Sequence, residues 1–171
     1  LVGVLIAVAF GGGFGYFGQR TVVVGQSFVN TLAAYDSFNP GRWFSDSQLD
    51  PFSIRLVDMQ VTYETENQKA LGQPTDYLAT VTVTQPDGST SQHEVRVNDP
   101  LRTNGADVYL LGNGYAPKLT VRDPQGNIVF TDSVPFLPQD KQLTSVGVVK
   151  VPDGLAEQIG MVGFFYPTQA E

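Results

Sequence analysis

Cysteine, histidine, methionine and paired carboxylates are the residues whose spacing would announce chemistry, and this chain is poor in them. Its 171 residues hold no cysteine, one histidine (His93) and two methionines (Met59 and Met161). Without cysteine there is no thiolate nucleophile, no thiolate metal site and no disulfide. One histidine excludes a multi-histidine metal centre. A Ser-His-Asp triad would have to use His93, and no nucleophile-elbow motif accompanies it. The sequence therefore predicts no enzyme. What remains for His93 is axial ligation of a haem iron, or a half-buried place at the start of a strand. Met59 lies on an apolar strand face and reads as a core filler rather than a haem ligand.

The elements that would position these residues are β-strands. Hydrophobic residues make up 42% and charged residues 16%, with 18 Gly and 11 Pro, the balance of a turn-rich β protein long enough to bury a core. A net charge of −7 and the lack of any Lys/Arg cluster exclude a nucleic-acid partner, which needs a basic footprint.

Residues 1–18, LVGVLIAVAFGGGFGYFG, carry no charge. As a helix they would span about 27 Å. They are expected to be the outer end of a membrane-spanning helix, with Phe14, Tyr16 and Phe17 at interfacial depth. A signal-peptide core and a buried first strand are the alternatives. Residues 19–171 are expected to form one extracytoplasmic β domain. Removed from lipid, the apolar side chains of Leu1 to Phe10 are expected to pack against the domain or a second copy.

Gln19 to Val24 reads as a strand. Ser27 can cap a short helix whose stripe is Phe28, Leu32 and Tyr35, ended by Asn39-Pro40-Gly41. Phe52 to Tyr63 alternates as Phe52, Ile54, Leu56 and then Val57, Met59, Val61, Tyr63; a phase slip of one residue predicts a β-bulge. Residues 64–74 form a polar loop. Tyr77 to Thr84 and Thr90 to Val97 are joined by Gln85-Pro86-Asp87-Gly88-Ser89, and 118–122 and 127–134 by Asp123-Pro124-Gln125-Gly126-Asn127, two hairpins with the same turn chemistry. Phe136-Leu137-Pro138 is an apolar corner, a strand follows to Val151, Pro152-Asp153-Gly154 turns the chain, and Ile159 to Tyr166 is the last apolar segment. The sum is an all-β protein, an antiparallel sandwich or open barrel of about eight strands with one short helix near the N-terminus.

Val95 to Pro117 stands apart, with two irregular corners, Asn98-Asp99-Pro100 and Gly112-Asn113-Gly114, flanking the strand Asp107 to Leu111, and a turn at Asn104-Gly105. Either it is a Greek-key corner or it faces a partner. Asn98, Pro100, Leu101, Tyr109 and Tyr115 are the partner-facing candidates here. Trp43, beside Phe44, is a further candidate or else belongs to a satellite core.

In order along the chain, Phe14-Gly15-Tyr16-Phe17-Gly18-Gln19, Gly25-Gln26-Ser27-Phe28, Phe52-Ser53-Ile54, the Asp87-Gly88 turn and Val97-Asn98-Asp99-Pro100-Leu101, with Gly105, Tyr109 and Tyr115 after it, resemble the extracytoplasmic domain of the ResB (CcsB-type) family of cytochrome c biogenesis proteins. That resemblance implies a membrane protein of the bacterial cytoplasmic membrane, its β domain outside and held between transmembrane helices. It also implies a ResC/CcsA-type partner, with which haem is delivered to the C-x-x-C-H motif of apocytochrome c. No cofactor is expected in this stretch of chain; haem belongs to the full complex. The resemblance places the covalent ligation mainly with the partner, so the stretch is expected to be non-catalytic, and the histidines that matter in the family do not match His93. A secreted or anchored β-sandwich that binds protein or carbohydrate is the alternative.

Overall fold

A computed structural model describes residues 4–10, 15–66, 74–140 and 143–167. Phe14 and most of the expected loop at 64–74 lie outside the described residues. The chain packs as two compact units, Gly3–Asn113 and Gly114–Glu171. They divide at Gly112-Asn113-Gly114, and each has its own hydrophobic core.

The first unit holds β1 (Val4–Phe10), β2 (Tyr16–Val23), β3 (Ser27–Val29), β4 (Ser37–Pro40), β5 (Ser53–Tyr63), β6 (Pro74–Thr84), β7 (Thr90–Arg96), β8 (Leu101–Thr103) and β9 (Ala106–Leu110). They form two antiparallel sheets, β4-β2-β1-β9-β8 and β3-β5-β6-β7. Tyr16, Val22, Val108 and Leu110 of the first sheet share a core with Ile54, Leu56, Val81, Val83 and Val95 of the second. Each fully buried aliphatic side chain contributes about 1.5–3 kcal/mol. Two sheets closing on one apolar layer make a sandwich.

The apolar N-terminus is not helical where it is described. Val4–Phe10 is a central strand paired with β2 on one side and β9 on the other. Seven residues rich in β-branched types suit a strand with two neighbours, and the glycines that follow are poor helix formers. Among the described residues no helix is long and apolar enough to cross a membrane.

The expected helix from Ser27 is also replaced. Phe28 is buried on β3 opposite Ile54, and only Leu32–Ala34 coils, as one 3-10 turn. Thr31 at its start is extended (φ −134°, ψ 151°) and makes no side-chain cap. Strand pairing satisfies the backbone here, so helical spacing of three apolar residues is overridden.

The expected bulge is present. Leu56 pairs with Val81 and Asp58 with Thr80, so Val57 is the extra residue. Val57 is exposed, while Ile54 and Leu56 before it and Met59, Val61 and Tyr63 after it face inward. The hairpin turn between β6 and β7 has Gly88 at φ +83°. Asp87 accepts from the Ser89 hydroxyl and N–H, and these bonds hold its carboxyl below the usual value. At Asn104-Gly105 both residues have positive φ, 45° and 72°, the geometry of a two-residue type I′ hairpin.

The second unit holds β10 (Lys118–Arg122), β11 (Ile128–Ser133), β12 (Phe136–Pro138), β13 (Ser145–Val151) and β14 (Ile159–Phe165). β10 and β11 form the second expected hairpin, and β12-β13-β14 form a three-stranded antiparallel sheet. In the hairpin turn Asp123 accepts from the side chain and N–H of Asn127, which lowers its carboxyl pKa. Val134, Phe136, Val149 and Val151 make the core. Fourteen strands are thus described where about eight are expected from turn spacing; short edge strands such as β3, β4, β8 and β12 carry too few residues to show alternation.

Candidate functional site

β7 ends at the corner that the sequence singles out. The Arg96 N–H donates to the Asp99 carbonyl and the Asp99 N–H to the Arg96 carbonyl, each at 3.2 Å, so Val97 and Asn98 turn the chain. Pro100 follows, where no N–H is needed. The turn leaves Val97 and Asn98 exposed on one wall of a cleft of about 380 Å³, completed by Thr75, Asp76, Tyr77, Arg96 and Asp99.

An ion pair between Arg96 and Asp76 bridges the cleft from β7 to β6, both side chains about half exposed. Such a pair is worth about 0–1 kcal/mol, little enough that either member can exchange its partner for a ligand group. Burial pushes the Tyr77 phenol above its usual pKa, with Tyr63 adding to the effect. The cleft therefore presents a cation, two carboxylates, an amide and a neutral phenol. That set can hold a polar peptide segment; it contains no nucleophile–base pair.

The other partner-facing candidates are scattered. Leu101 is 6% exposed and belongs to the core, because β8 turns it inward opposite Val108. Tyr109 is half-buried on β9, opposite Val8. Pro100 is half-buried beside the cleft. Tyr115 lies in the second unit, its ring 4.8 Å from Phe165. Trp43 is 64% exposed, with the Arg42 guanidinium 5.4 Å over its ring, and is a surface platform rather than core. Only Asn98 lines the cleft.

The family model for the ResB-like family matches residues 1–171, the whole chain. The chain belongs to the ResB-like family. The family is an accessory, membrane-associated component of cytochrome c biogenesis that works with other components of that process. No curated protein and no solved structure matches the chain.

In this ResB-like chain His93 stands opposite Val81 on the outer strand β7, on the face that carries Val95, and is exposed rather than half-buried. Its Nε2 is 2.8 Å from the Ser91 hydroxyl. An iron ligand needs an apolar slot for the porphyrin, and His93 lines neither the cleft at Asn98 nor the larger one, about 560 Å³, around Arg55.

Two features escaped the sequence-based expectations. The first is a buried polar hub. Asn30 accepts from the Tyr35 hydroxyl at 2.5 Å and donates to the Asp50 carbonyl at 2.8 Å and the Tyr16 hydroxyl at 3.1 Å. The second is the outer face of the β12-β13-β14 sheet, where Leu137, Val148, Val162, Phe164 and Tyr166 are all exposed. The run IGMVGFF signals it, because an edge strand apolar on both faces has one face too many.

Proposed function

We propose that this chain is the extracytoplasmic, non-catalytic part of a bacterial cytoplasmic-membrane protein that serves haem delivery to apocytochrome c together with a ResC/CcsA-type partner. The family match over the whole chain carries this reading. Haem is the cargo of the complex, and its iron ligands lie outside this chain. The composition supports a scaffold role: a chain with no cysteine cannot enter mixed disulfides with the thiols of an apocytochrome. The corner cleft at Asn98 is the docking point for a partner, with the exposed Trp43 platform as a further contact.

The test is complementation. In cells lacking the full-length protein, covalent haem on c-type cytochromes is followed by haem stain after denaturing electrophoresis. Deletion is expected to abolish the stain, and Asn98→Arg with Tyr77→Ala to reduce it while the protein level holds. Covalent haem unchanged by deletion would overturn the biogenesis role. Covalent haem lost on deletion but unchanged in the cleft variants would retire the cleft alone.

A further inference from the structure

β14 is the outer strand of its sheet, and among the described residues no strand pairs with its second edge. Edge strands are normally protected by charge, proline or a bulge. Ile159–Phe165 (IGMVGFF) has no charge and no proline, and its register against β13 is unbroken from Val151↔Ile159 to Ser145↔Phe165. Its outward residues Val162 and Phe164 are 66% and 63% exposed, and Phe164 stacks with Tyr166.

The two glycines of the strand differ. Gly163 faces the core, where an added Cβ would stand 3.2 Å from the Phe136 ring, so packing within the unit accounts for it. At Gly160 an added Cβ meets nothing within 4 Å, and no positive φ requires glycine there. A glycine inside a strand weakens it unless another group approaches closely.

We propose that β14 pairs with β14 of a second copy of this chain, antiparallel about Val162, joining two three-stranded sheets into one of six strands. In that register Phe164 lies opposite Gly160 of the other copy, Met161 opposite Gly163, and Ile159 opposite Phe165. Large residues meet glycines in two of these pairs, and Gly160 supplies the space for the Phe164 ring. Val162 meets its own copy. The outer face then runs without interruption through Val148, Val162, Val162 and Val148 of the two chains. The strand itself places no charge at the seam.

The full 171-residue chain has no cysteine, so single-cysteine variants report proximity cleanly. Directly opposed residues of antiparallel strands have Cα atoms about 4.5–5.5 Å apart, within the span a disulfide bridges. The expected results are a dimer of the wild type by sedimentation equilibrium and a disulfide-linked dimer of Val162→Cys on mild oxidation. Val148→Cys, whose two copies would be about 14 Å apart across three strand spacings, stays uncross-linked. Val162→Lys places like charges opposite each other and raises the dimer dissociation constant about tenfold or more. A wild type that remains monomeric at its highest soluble concentration overturns the proposal. So does cross-linking through Val148→Cys in preference to Val162→Cys, which would mean that faces stack and edges do not join.

Discussion

The Tyr35 hydroxyl donates to the Oδ1 of Asn30 at 2.5 Å, joining the 3-10 turn at Leu32–Ala34 to the core of the first unit. Asn30 is 2% exposed, and the Tyr16 hydroxyl shares it. Asn30→Ala would leave buried hydroxyls without a partner, at a cost of about 1–3 kcal/mol each. Urea unfolding is expected to show a loss of at least about 2 kcal/mol, with Tyr35→Phe milder because it removes donor and demand together.

The same hub makes stability fall in alkali. Burial, with Tyr16 nearby, raises the Tyr35 pKa well above its usual 10.0. The folded state therefore holds the proton that the unfolded chain releases, so the contribution is complete below pH 10 and declines as pH rises beyond it. Chemical denaturation followed above pH 10 is expected to show this slope, reduced in Tyr35→Phe. An equal slope in the variant would assign it to other groups.

The bulge at Val57 sets which residues of β5 reach the core. Deleting Val57 leaves Ile54, Leu56, Met59, Val61 and Tyr63 in one regular alternation, so the variant is expected to fold. Deleting Gln60 turns Val61 and Tyr63 outward and is expected to cost about 2 kcal/mol or more. Denaturant midpoints of the two deletions check this; equal losses would contradict the register.

Gly147 lies opposite Phe136 on the core face of β13, and an added Cβ would stand 2.5 Å from the Phe136 ring. Gly147→Ala is expected to destabilise the second unit by about 1–3 kcal/mol through overpacking. Gly160→Ala, with open space at its Cβ, is expected to cost nothing in a monomer. Thermal unfolding of the two variants separates them.

His93 is exposed and outside both clefts. His93→Ala is expected to change stability by less than about 0.5 kcal/mol and to leave a haem titration, followed at the Soret band, unchanged. A saturable Soret shift that the variant loses would make His93 a ligand.

By itself the sequence determined the all-β class, both proline–glycine hairpins, the Asn104-Gly105 turn, the bulge after Leu56 and the corner at Asn98. These rest on φ preferences and on an alternation of period two, which act between residues close along the chain. Tertiary structure alone decided the rest. Val4–Phe10 is a strand because β2 and β9 lie on either side to take its backbone bonds, a condition its apolar composition shares with a membrane helix. Phe28 enters β3 because Ile54 is opposite it, and helical spacing at Leu32 and Tyr35 cannot compete with that pairing. Leu101 is core and Trp43 surface although both are large and apolar, since burial depends on which strand covers a residue and not on its type. The division into two cores at Gly114 and the edge of β14 that no described strand covers have the same origin: each is a matter of which neighbours distant segments provide.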